Sequence, residues 1–113
     1  MQSIILGHFL VVGLPYQDLS ASDWNKLTES TPVQLRRERF NPHDPLCISI
    51  RLEDETRLGY LSREDNPVPS AILDQGYPLA ARIVEISTGQ HQPFPQELRV
   101  EVRLELANTP ETN

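Results

Sequence analysis

The chain has 113 residues, one cysteine and a formal net charge of −6, with nine Arg and one Lys set against sixteen carboxylates. That length fits one domain, which buries roughly two-thirds of its unfolded surface and so forms a core without staples. The lone Cys47 excludes an intrachain disulfide and points to a reducing compartment, the cytoplasm by default. The acidic balance excludes a general nucleic-acid coat, because sequence-independent affinity comes from neutralising phosphates with cations; any nucleic-acid contact must be local.

The apolar run from Ser3 to Val12 has no basic residue before it and is shorter than the ~20 residues a membrane-spanning helix needs, so it is expected to be a buried strand over residues 4–12 rather than a signal or anchor. Gly13-Leu14-Pro15 ends that strand. The segment Ser20 to Leu27 predicts a short helical turn capped by Ser20 or Ser22, with Trp24 and Leu27 at i, i+3 folding onto the core.

Alternation then dominates. Val33-Gln34-Leu35-Arg36-Arg37, Ile48-Ser49-Ile50-Arg51-Leu52-Glu53 and Leu98 to Leu106 place apolar side chains on one face and polar ones on the other, the period-two mark of half-buried antiparallel strands. By the same parity Cys47 is expected to face outward. Glu53-Asp54-Glu55-Thr56 predicts a hairpin into a strand from Arg57 to Leu61, and another strand covers Tyr77 to Ile86. Between them Asn66 to Gly76 predicts a helix with Asn66 as cap, prolines in its first turn, a terminal Gly, and Val68, Ala71 and Ile72 facing inward. Residues 89–95 are expected to form a loop, and residues 108–113 a disordered tail after a domain spanning 1–107. The expected fold is mainly β, a small antiparallel six-stranded barrel of the OB or SH3 kind with one or two short helices.

Enzyme templates find no match. There is no Gly-rich phosphate loop, no Gly-x-Ser-x-Gly and no His-Glu-x-x-His. His43, Asp44 and Cys47 are too few for a metal site, so no metal, cofactor or catalytic residue is expected. In the turn Asn41-Pro42-His43-Asp44-Pro45, Asn41 closes an Asx turn, Pro42 fixes φ and Asp44 accepts backbone amides. That accounts for three residues and leaves His43 and the neighbouring arginines without a task.

Taken in order, Val11-Val12-Gly13-Leu14-Pro15-Tyr16, Val33-Gln34-Leu35-Arg36-Arg37-Glu38, Asn41-Pro42-His43-Asp44-Pro45, Leu58-Gly59-Tyr60-Leu61-Ser62-Arg63-Glu64 and Ile72-Leu73-Asp74-Gln75-Gly76 resemble the HIRAN domain. The resemblance implies a modified OB-like barrel and a pocket for the 3′ end of single-stranded DNA. Tyr16 would stack a terminal base, Asp44 would accept a hydrogen bond from the 3′ hydroxyl, and Arg63 would meet a phosphate near Arg37. His43 stands where the family carries tyrosine, Tyr60 would line the same wall, and Phe94 is a further aromatic candidate. The chain departs from the family pattern at Pro15, Gln17, Arg39-Phe40 and Leu46-Cys47.

The expected function is a free-standing, non-catalytic module for single-stranded DNA or DNA 3′ ends in DNA repair or replication-fork processing, with a helicase or nuclease as partner and no membrane contact. The alternative is a protein-interaction adaptor using an edge strand or an acidic face, with the alternating charges Arg99, Glu101, Arg103 and Glu105 on view.

Overall fold

A computed structural model of the protein describes residues 2–88 and 94–106; the expected tail and most of the expected 89–95 loop lie outside them. Strands β1 (Gln2–Val12), β2 (Pro32–Arg37), β3 (Ile48–Arg51), β4 (Arg57–Leu61), β5 (Leu79–Thr88) and β6 (Pro95–Leu106) are joined by helices α1 (Ala21–Asn25) and α2 (Pro67–Asp74). They close into an antiparallel barrel in the order β1-β4-β3-β2-β5-β6. The expected six-stranded barrel with two short helices is therefore present, and no helix among the described residues is long and apolar enough to cross a membrane.

Alternation produces the core. Ile48, Ile50, Leu58, Ile83, Leu98, Val100 and Val102 are wholly buried, each contributing on the order of 1.5–3 kcal/mol. Trp24 of α1 and Leu27 just beyond it join them, and the start of α1 is a capping box: Asp23 N–H donates to Ser20 Oγ at 3.2 Å while Ser20 N–H donates to Asp23 Oδ2 at 3.0 Å.

Three expectations about burial or facing are corrected. β1 is a strand as expected but not a buried one: only Val11 is buried, and Ile4 and Ile5 are about half exposed. In α2 the inward positions are Asn66, Pro69, Ser70 and Leu73, while Val68 and Ala71 are exposed. The true i, i+3, i+4, i+7 stripe is built partly of polar and small residues, so hydrophobicity selects the wrong face. The helix does end as expected, on Gly76 at φ 88°, with Gly76 N–H donating to the Leu73 carbonyl and Tyr77 N–H to that of Ile72, a Schellman stop. Cys47 is buried at 7 % exposure rather than outward, because both faces of β3 are covered. Over the outer face Arg51 donates to Ser49 Oγ at 3.0 Å and to Glu38 at 3.1 Å, and Arg57 reaches the same Glu38 oxygen at 2.7 Å.

The alternating charges of β6 are largely self-paired. Register places Glu101 between His8 of β1 and Arg82 of β5. Only 5 % exposed, it accepts from Arg103 Nε at 2.6 Å and from Arg82 Nε at 3.4 Å, with His8 Nε2 at 3.1 Å. The Arg103 and His8 hydrogen bonds hold its carboxyl down at about 2, against an ordinary 4.5, despite burial. A depressed folded pKa contributes stability that is complete above pH 4.5 and is lost as pH falls towards 2. Thermal melts across that window are expected to show a steep decline for the native chain and a flatter one for Glu101→Gln, which starts from a lower melting temperature at neutral pH.

Candidate functional site

The turn between β2 and β3 is built by side chains acting on their own backbone. Asn41 Oδ1 accepts the amides of His43 at 2.8 Å and Asp44 at 3.2 Å, Asp44 Oδ1 accepts that of Leu46 at 3.0 Å, and Glu38 N–H closes the base on the Cys47 carbonyl at 2.9 Å. Asp44 is then fixed from a distance, because Asn66 Nδ2 donates to its second oxygen at 2.8 Å. Asn66 is the residue expected to cap α2; it sits at the cap position but makes no cap bond, and its amide serves Asp44 instead.

Asp44, His43, Tyr60 and Arg63 come together. With Val12, Asn41, Cys47 and Leu61 they line an open cleft of about 400 Å³. Arg63 Nη2 donates to the His43 carbonyl at 2.5 Å and its Nε lies 3.8 Å from Asp44 Oδ2, yet its side chain stays 75 % exposed. Desolvation would raise the Asp44 pKa, but the Asn66 and Leu46 hydrogen bonds and the charges of Arg63 and Arg37 outweigh it and hold the carboxyl below its usual range. A carboxylate offers about four lone-pair sites, and two of these are occupied here, so an ionised acceptor with spare capacity faces the cleft.

Tyr60 forms the opposite kind of surface. Arg57 lies 5.3 Å from its ring centroid and is anchored in turn by Glu38, so the ring is held from behind. Burial raises the Tyr60 phenol, opposed in part by Arg57. Cys47 is no nucleophile: burial and the nearby carboxylates of Glu38 and Asp44 push its thiol up to about 11. Among the described residues no three His, Cys, Asp or Glu side chains are grouped to hold a metal.

The remaining expected residues are placed as follows. Tyr16 closes the 3₁₀ turn Leu14–Tyr16, which packs on β4, and is 87 % exposed; it is not part of the cleft lining. The neighbouring Gly13, at φ 83°, borders the Tyr60 ring closely enough that a Cβ would lie 3.4 Å from it. Arg37 is one layer back and 11 % exposed: it donates to the Cys47 carbonyl at 3.0 Å and to Asp74 at 2.9 and 3.1 Å. Phe94 packs against the barrel core and does not line the cleft. Reasoning from sequence did not find Asp74, which also takes Arg39 at 2.9 Å, nor Arg57 or the role of Asn66. All three act across long sequence separations and leave no local pattern.

A family model described as the HIRAN domain matches residues 6–107. Similar solved structures include a protein from Lactobacillus plantarum, with 26% identity, a TM-score of 0.74, and 92% of this chain and 98% of that one covered. The HIRAN domain of human HLTF is similar at 21% identity and a TM-score of 0.65, covering 91% of this chain and 80% of that one. The HLTF HIRAN domain in its DNA-bound conformation, solved by NMR, is similar at 21% identity and a TM-score of 0.56, over 92% and 80% of the two chains. At that identity the likeness to HLTF is one of fold. No curated protein matches the chain.

Proposed function

Because the chain belongs to the HIRAN domain family, we propose that its barrel is a DNA-binding module and that the cleft around Asp44 takes the 3′-hydroxyl end of a single strand. The observation that carries this reading is an ionised, pre-oriented carboxylate beside an exposed guanidinium in one cleft. A phosphate placed against Asp44 would meet like charge, on the order of 4 kcal/mol at 4 Å in a surface environment. A hydroxyl instead donates to it. Arg63 then meets the preceding phosphate, Tyr60 and His43 form the walls, and Tyr16 offers a base-stacking face at the rim. The DNA-bound conformation of the HLTF domain, which shares this fold, supports DNA as the ligand class.

Cys47, with its raised pKa, gives the module no thiolate at neutral pH. A module that holds ends without altering them serves repair or fork processing through a partner carrying the helicase or nuclease. Fluorescence anisotropy with otherwise identical 3′-hydroxyl and 3′-phosphate oligonucleotides is expected to show the phosphate end binding about tenfold or more weaker. Equal affinities would remove end recognition, and absence of both would remove DNA as the ligand.

A further inference from the structure

We infer that the strand continues beyond the cleft onto a shelf around Phe40, where a nucleotide on the 5′ side of the end stacks; this rests on reading the cleft as a DNA-end site. Phe40 is 98 % exposed, an aromatic ring that adds nothing to the core. It belongs to a second depression of about 540 Å³, lined by residues 36–42. Asn41 lines both this depression and the Asp44 cleft, so the two adjoin across that residue.

The ring is presented by a constrained backbone. Asn41 N–H donates to the Glu38 carbonyl at 3.1 Å, enclosing Arg39 and Phe40 in a tight turn whose far side is the Asx turn that carries Asp44. Four residues of chain span at most about 14 Å, so Phe40 and Asp44 lie within a few nucleotides of each other on any strand that touches both. Arg36 and Arg39 line the same depression, their exposed guanidiniums paired to Glu55 at 2.6 Å and to Asp74 at 2.9 Å. Exposed ion pairs of this kind contribute little and are screened by salt, so these cations exchange a carboxylate for a passing phosphate at small cost. An exposed aromatic face in a depression that also carries cations suits a single strand of any sequence, since every base presents a π-face.

The test compares 3′-hydroxyl oligonucleotides of about two and about six nucleotides, by competition anisotropy on the full chain. The native protein is expected to favour the longer strand by about tenfold. Phe40→Ala should remove that preference while leaving the shorter strand's affinity unchanged, and Phe40→Trp should retain it. Equal behaviour of Phe40→Ala and the native chain on both lengths would overturn the shelf while the end-site reading stands, and would leave Phe40 to a protein partner. A native chain that binds neither length would overturn the end site and the shelf together.

Discussion

Asp44→Asn is expected to erase the preference for hydroxyl ends, lowering affinity for a 3′-hydroxyl strand by about ten- to a hundredfold and raising that for a 3′-phosphate strand. A hydrogen bond to a charged acceptor contributes roughly 1.5–3 kcal/mol, which sets the size of the loss. Removing the charge also removes the repulsion, which sets the sign of the gain. The substitution has a structural cost as well. The carboxylate accepts from Leu46 N–H on one oxygen and from the buried Asn66 amide on the other, and an Asn side chain has a single oxygen for both. One donor is left unpaired, at about 1–3 kcal/mol. Titrations performed well below the melting temperature, beside a thermal melt, separate the two effects. Retention of the hydroxyl preference in a folded Asp44→Asn chain would remove Asp44 from end recognition.

The second large effect is expected from Gly59→Ala, at a residue outside the cleft lining. A Cβ there would lie 2.4 Å from the Val12 carbonyl oxygen and 2.8 Å from Val11 Cγ1. The seam between β1 and β4 is registered only at Val11 with Leu61 and Val12 with Tyr60, so the strands cannot separate locally without opening the barrel. Forcing extra volume into such a contact costs about 3 kcal/mol, equivalent to a fall of roughly 10–20 °C in melting temperature. Differential scanning calorimetry checks it, and an unchanged transition would mean that the seam yields. Because Val12 and Leu61 both line the cleft, the variant is also expected to bind DNA more weakly where it remains folded.

The barrel was legible because its information is local: apolar side chains at every second residue in β2, β3 and β6 mark a face, and Ile48, Ile50, Leu98, Val100 and Val102 all proved wholly buried. The Asx turn was legible for the same reason, since Asn41 acts on amides two and three residues away. What escaped were side chains whose partners arrive from elsewhere in the chain. Arg37 reads as a free cation until Asp74 is seen against it, and Asn66 reads as a cap until Asp44 is found beside it. Cys47 reads as outward because parity assumes that only one face of a strand is covered, and a layer of Glu38, Arg51 and Arg57 covers the other.

Helix α2 therefore works as a crossbar. Its leading end is fastened to the carboxylate of the β2–β3 turn through Asn66, and its trailing end to the largely buried guanidinium of Arg37 through Asp74. Both fastenings insert into one short stretch of chain, residues 37–44, so the position of the helix and that of the cleft mouth are tied together. Damage to a helix outside the cleft lining would thereby reach the proposed DNA site, and a partner protein seated on that helix would hold a handle on the site without entering it.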